Sequence, residues 1–236
     1  MNNNYYETLD KNFINALNLC ETNHTHEQLI SMLKNGNIPQ RQIAALKLEK
    51  ITSQDDAQAL LSNLTGQDGK IREAVSLRLK EFMSDPDLIM YFDGAANYKT
   101  FLNAAIDINA NICRNVICAI LNLKNNDDFC KIFCSKLSEM TKNLLTVVEK
   151  FNFQEGKYKV NKEAFKLYWC LETIYVFYDK MDFSDLKEII IRAKSIQEYT
   201  IREKVAKILS KNFEDKELQR IRTELKNDPN YYVRRY

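Results

Sequence analysis

The chain has 236 residues, 45% of them hydrophobic and 28% charged, with a net charge of +2. Five glycines and three prolines make eight residues out of 236, where average usage would give about 12%. An all-β fold needs turn residues about every 8–12 positions, so sandwiches and barrels are excluded, and Gly-rich phosphate loops with them. No apolar run approaches the roughly 18 residues of a membrane helix. The start, Met1-Asn2-Asn3-Asn4-Tyr5-Tyr6, lacks the basic and apolar regions of a secretory signal. The six cysteines, Cys20, Cys113, Cys118, Cys130, Cys134 and Cys170, sit in apolar helical patterns and read as buried, reduced thiols of a cytoplasmic protein.

The spacing of apolar residues and turn signals predicts helices over 4–21, 26–35, 39–51, 54–64, 69–83, 86–92, 96–106, 110–124, 127–151, 161–179, 184–196, 199–212, 215–226 and from 229 onward. Pro39, Pro86 and Pro229 stand where helices begin, since a first-turn proline forfeits no helical hydrogen bond. The glycines fall between periodic segments, and Gly36 and Gly66 suit C-termini that want φ > 0. Thr25 to Gln28 and Thr200 to Glu203 have capping-box spacing. Asn161, Ser184 and Asp215 read as N-caps. Connections of about two to six residues imply antiparallel neighbours, and the segment 152–160 is the longest of them.

A lead-in recurs along the chain. Asp68-Gly69-Lys70-Ile71-Arg72 is followed by Val75, Leu79 and Phe82; Arg41 is followed by Ala44, Leu48 and Ile51 at the same offsets. Asn109-Ala110-Asn111-Ile112-Cys113 and Tyr199-Thr200-Ile201-Arg202 repeat it in part, and Asp228-Pro229 to Val233-Arg234 opens it again. These marks resemble the HEAT-repeat family, whose second helices open on an Asp-Pro-x-Val-Arg-like segment. The resemblance implies an all-α fold: a right-handed α-solenoid of about six antiparallel helix pairs, of the armadillo-type superhelix. It implies one domain over 1–236, with residues 1–25 as an N-terminal capping helix and 26–236 as repeats, the last incomplete. Such pairs bury their apolar faces only by stacking on neighbours.

In that family the second helix of each pair lines the concave face. The second helices here sum to about +10 and the rest of the chain to about −8. A groove of one sign attracts a partner of the other. Lys47, Arg78, Arg114, Lys207 and Lys211 are the candidate partner-binding residues. Arg41, Arg72, Arg202 and Arg234 occupy the position of the family's inter-repeat polar ladder. Tyr168 and Trp169, on a helix apolar nearly all round, are either core or an aromatic floor to the groove.

The expected function is a non-catalytic module binding a protein or peptide, acidic in character. The alternatives are a nucleic-acid binder, resembling HEAT-like alkylpurine DNA glycosylases with Tyr175 and Asp179 at i, i+4, and a subunit like the HEAT-repeat bilin lyases. No cofactor and no membrane partner is expected. Cys20-x-x-x-His24-x-His26 could offer three metal ligands but spans a helix end without a fourth, so no metal is expected. Cys130 and Cys134, one turn apart beside Phe129 and Phe133, read as core. With histidine only at 24 and 26, a His-dependent nucleophile is not expected. Tyr231, Tyr232 and Tyr236 at the last opening suggest self-association through the C-terminal repeat.

Overall fold

The computed structural model describes residue 14, residues 17–151, residue 153 and residues 162–236. The expected first helix falls largely outside the described residues; 17–21 are helical. Asn161 and most of the 152–160 connection also lie outside them. No strand occurs among the described residues. The helices are α1 (His26–Asn35), α2 (Ile38–Lys47), α3 (Gln54–Leu61), α4 (Gly69–Met83), α5 (Pro86–Ile89), α6 (Gly94–Ala105), α7 (Ala110–Leu121), α8 (Asp127–Val148), α9 (Lys162–Phe177), α10 (Phe183–Ala193), α11 (Tyr199–Leu209), α12 (Lys216–Leu225) and α13 (Tyr231–Arg234). A 3-10 turn, Tyr178–Lys180, extends α9.

The chain divides into two compact units, Met1–Asp93 and Gly94–Tyr236. In the first, α1 packs on α2 and α3, and α2 packs on α4. In the second, α6, α8, α10 and α12 form one layer in chain order, and α7, α9, α11 and α13 form the other. First helices thus stack on first helices and second on second, the main contacts falling within a pair or between adjacent pairs. Each unit is a stack of helix pairs, two in the first and four in the second, as a solenoid requires.

Local chemistry sets the helix ends. Thr25 and Gln28 form a reciprocal capping box, which satisfies two backbone donors that a helix start leaves free. Asn37 and Gln40 form another. Pro39 and Pro86 lie in first turns, whereas the last helix starts at Tyr231, after an Asn230 cap. Asp215 caps α12, but Asp182 and not Ser184 caps α10. The Thr200 box does not form. Glu198 is the cap of α11 and accepts from both the backbone N–H and the hydroxyl of Thr200, because a carboxylate reaches these donors better than a hydroxyl already inside the turn. Gly66 has φ +71°, the left-handed conformation expected of it. Gly36 does not; its φ is −71°. Its constraint is space, since a Cβ there would lie 2.5 Å from the Met32 carbonyl.

The core of the second unit shows the packing that patterning dictates. On α8 the buried residues Phe129, Phe133, Leu137, Leu144 and Val148 line one face, at the three- and four-residue spacing of an amphipathic helix. Phe129 stacks on Phe133 at 4.8 Å, Phe133 meets Phe177 at 5.4 Å, and Phe101 stands edge-on to Phe129 at 6.2 Å. Gly94 lets α6 start against this cluster; a Cβ there would come within 2.9 Å of Leu123.

The recurring arginines share one geometry. Each donates to carbonyls five or six residues upstream: Arg41 to Gly36 at 2.6 Å, Arg72 to Gln67, Arg202 to Gln197 at 2.6 Å and Ile196 at 2.9 Å, and Arg234 to Pro229 at 2.8 Å and Asp228 at 2.7 Å. Cys113, standing where an arginine is due, donates its thiol to Asp107 at 3.0 Å. Two guanidinium groups also reach the next pair: Arg41 to the buried Asn63 at 3.0 Å, and Arg202 to the buried Asp228 at 2.6 and 3.2 Å.

The cysteines separate by burial. Cys113, Cys130, Cys134 and Cys170 are buried, but Cys20 and Cys118 are exposed, since both project from the solvent side of their helices. Burial pushes Cys113, Cys134 and Cys170 up to about 12. A colorimetric thiol assay should therefore find two fast thiols in the native protein and four more only on denaturation. Chemical denaturation provides a second test. Arg202→Leu strands the Asp228 carboxylate in the interior and should cost about 3 kcal/mol. Arg220→Leu, at a side chain 67% exposed, should change stability by less than about 0.5 kcal/mol.

Candidate functional site

In the second unit α9 lies between α7 and α11, and its outer residues form a stripe. Tyr168, Glu172 and Tyr175 recur at i, i+4 and i+7, and the turn after α9 adds Tyr178 and Asp179. The facing stripe on α11 is Lys204, Lys207 and Lys211, at i, i+3 and i+7. The two mesh. Glu172 bridges Lys204 at 2.7 Å and Lys207 at 2.6 Å. Lys204 sits 4.3 Å from the centre of the Tyr168 ring, and Lys207 and Lys211 each sit 4.3 Å from Tyr175. Lys211 also lies 5.3 Å from Tyr178, whose ring is 5.7 Å from Lys124. Lys124 pairs with Asp179 at 2.6 Å. On α7, Arg114 lies 5.8 Å from the Trp169 ring.

The electrostatics follow from this contact list. Arg114, Lys124, Lys204, Lys207 and Lys211 face two carboxylates, Glu172 and Asp179. Burial alone would raise the Glu172 carboxyl; the two lysine hydrogen bonds outweigh it and hold Glu172 below the usual range. Burial pulls Lys204 down, but Glu172 and Tyr168 more than restore it, so it stays charged. Lys204 is only 6% exposed; without Glu172 it would be a stranded charge. Lys211 has two aromatic contacts and no carboxylate partner among the described residues. Each such cation–ring contact is worth about 0.5–1 kcal/mol at an exposed site, and it fixes the ammonium in place.

The sequence-derived candidates are placed as follows. Lys207, Lys211 and Arg114 belong to this one face. Tyr168 is half-buried beneath Lys204, whereas Trp169 is 4% exposed, edge-on to Phe165 and Tyr168. Its indole N–H is buried and has no hydrogen-bond partner among the described residues. Lys47 and Arg78 belong to the first unit. There Arg78 donates to the Leu46 carbonyl and to the Ala45 carbonyl at 3.3 Å, closing the end of α2, and pairs with Glu81 at 2.5 Å. Lys47 donates to the Thr22 carbonyl at 2.8 Å. Lys124, Glu172 and Tyr178 were not singled out as site residues from sequence. The matched stripes on 168–179 and 204–211 were the available signal.

His24 and His26 are engaged otherwise. His24 contacts the Leu19 carbonyl at 3.1 Å, and His26 contacts the buried Asp56 at 3.0 Å. Among the described residues no group of three His, Cys, Asp or Glu side chains could hold a metal ion. None of the described helices is long and apolar enough to cross a membrane. At the C-terminus Tyr231 and Tyr232 are exposed, Tyr232 lies 6.2 Å from Tyr199, and Arg235 lies over Tyr232 and Tyr236.

No protein-family model matches the sequence, and no curated protein matches it. Ten solved chains match it in fold, among them the following two. One is an engineered protein from a structural genomics consortium, 14% identical, covering 89% of this chain and 92% of its own, with a TM-score of 0.47. The other is a designed armadillo repeat protein, 13% identical, covering 89% and 95%, also with a TM-score of 0.47.

Glu172→Gln tests the lysine bridge. It leaves Lys204 buried beside a neutral amide and should cost about 2–3 kcal/mol in urea denaturation at pH 7. A carboxylate held below its unfolded value stabilises the fold above that value, and the contribution disappears as pH falls through the folded one. The difference between wild type and variant should therefore shrink as pH is lowered below about 4.5.

Proposed function

We propose that this protein is a non-catalytic binding module that holds an acidic protein or peptide segment on its second-helix faces. Arg114, Lys124, Lys207 and Lys211 would supply the contacts on the second unit, and Lys47 and Arg78 those on the first. The observation that carries the reading is the face formed by α7, α9 and α11, where five cations face two carboxylates over a row of tyrosines. Cations already held over rings have less freedom to lose on binding, which favours affinity per contact. Tyrosine and arginine are also the residues that anchor protein interfaces.

A phosphate backbone is the other polyanion such a face suits. Single strands bind by stacking bases on aromatic rings, but here Tyr175 and Tyr178 already carry lysine ammonium groups. That arrangement favours carboxylates arriving at the cations over bases arriving at the rings. The reading places the protein in the reducing cytoplasm, where the exposed Cys20 and Cys118 would stay thiols.

Fluorescence anisotropy tests the reading with a labelled 20-residue peptide rich in Glu and Tyr, alongside a Lys-rich peptide, duplex DNA and single-stranded DNA. The acidic peptide should bind at low salt, weaken as salt rises, and lose about tenfold or more in affinity with Lys211→Glu/Arg114→Glu. Neither side chain is needed for a buried pair, so the variant should fold. Unchanged peptide affinity in the variant would remove this face from the function. Tighter, salt-dependent binding of DNA than of peptide would transfer the site to nucleic acid.

A further inference from the structure

The first unit holds a cleft of about 700 Å³ between the segment ahead of α1, the end of α2 and α4. Its charged lining is Lys47, Lys50 and Arg78, with one carboxylate, Glu49; a second carboxylate, Glu81 on α4, pairs with Arg78 at 2.5 Å. The end of a helix carries partial negative charge and by itself would repel an anion. Here that end is already covered, because the Arg78 guanidinium takes the Ala45 and Leu46 carbonyls. Lys47 ties the facing segment through the Thr22 carbonyl. Lys50, just beyond α2, makes no hydrogen bond to a carboxylate among the described residues, although its charge acts on Glu27 of α1. His24 and His26 complete the polar wall, each with Nε2 committed to an acceptor. Leu29 and Leu46 supply an apolar side.

We propose that this cleft binds a phosphate monoester carried on a protein side chain. A single carboxylate needs one cation. A phosphate monoester brings about −1.5 to −2 charges and three strong acceptor oxygens, which match two cations at the end of α2 and one on α4. The cleft is larger than a phosphoryl group, and its leucines accommodate the carbon skeleton of the phosphorylated residue. The proposal rests on the binding-module reading and names the chemistry of one of its contacts. Lys47, Lys50 and Arg78 would supply charge-assisted hydrogen bonds, Lys47 and Arg78 through donors beyond those already given to carbonyls and to Glu81; such bonds are shorter and about twice as strong as neutral ones.

The test is amide chemical-shift mapping on the full ¹⁵N-labelled chain. O-phosphotyrosine and O-phosphoserine are titrated at constant ionic strength against inorganic phosphate, sulfate and glutamate. Both phosphorylated amino acids should give saturable shifts at the amides of 22–29 and 46–50. Lys50→Gln and Lys47→Gln should each weaken binding roughly fivefold or more, with unchanged thermal melting for Lys50→Gln. Silence at these amides, or equal shifts with glutamate or sulfate, would overturn the proposal. Inorganic phosphate binding as tightly as the phosphorylated amino acids would overturn the side-chain source. An unphosphorylated acidic peptide that shifts α9 and α11 amides while phosphorylated probes leave the cleft silent would overturn this site alone and leave the acidic-segment reading standing.

Discussion

A guanidinium group reaching back along its own chain is the interaction on which the helix stacking rests. Arg41, Arg72, Arg202 and Arg234 each open a second helix and each donate to carbonyls of the turn that precedes it. Turn carbonyls next to helix ends have no helical partner and must find one. Arginine suits the task because its planar fork carries five donors and never loses its charge. The remaining donors of Arg41 and Arg202 then reach Asn63 and Asp228 in the following pair. At Arg41 and Arg202 one side chain therefore ties the turn within its own pair to the pair that follows. At 113 the thiol of a buried cysteine satisfies one such carbonyl, so the turn persists with a weaker donor.

Register between second helices is what turns separate stripes into a face. Lys204, Lys207 and Lys211 are ordinary lysines of one helix until α11 is set against α9. They then lie over Tyr168 and Tyr175 and share the Glu172 carboxylate. The bridge does two things. It neutralises a buried lysine that would otherwise be costly, and it draws two ammonium groups to one side of the helix. Lys211, one turn further, is left with rings only. The positive excess available to a partner is thus smaller than a count of residues suggests, but it is concentrated and held in place.

The first unit shows the same double use of charge. Arg78 completes the end of α2, and that duty brings its guanidinium to the wall of a polar cleft beside Lys47 and Lys50. Asp56 gives the opposite case. Burial would raise its carboxyl, yet hydrogen bonds from Thr52 and contact with His26 hold it low. Of the two histidines, whose spacing was not expected to hold a metal, His26 joins the start of α1 to α3 through Asp56, and His24 meets the Leu19 carbonyl.

Helix positions were legible in the residues because caps and apolar periodicity act over four or five neighbours. Thr25 and Asp215 needed nothing beyond their own turns, and the arginine marks located the second helices for the same reason. Where two local caps competed, as at Glu198 and Thr200, spacing alone did not choose; the carboxylate prevailed by geometry. The exposure of Cys20 and Cys118 and the burial of Trp169 were decided by what packs beside each helix. So was the fate of each cation. Glu172 lies more than 30 positions before the lysines it bridges, as Leu46 lies before Arg78, and no local pattern encodes such a meeting. The sequence by itself determined an all-α chain of stacked pairs with positive second helices. Only the tertiary structure decided which of those charges are neutralised, because neutralisation depends on distances between segments that the register of the stack brings together.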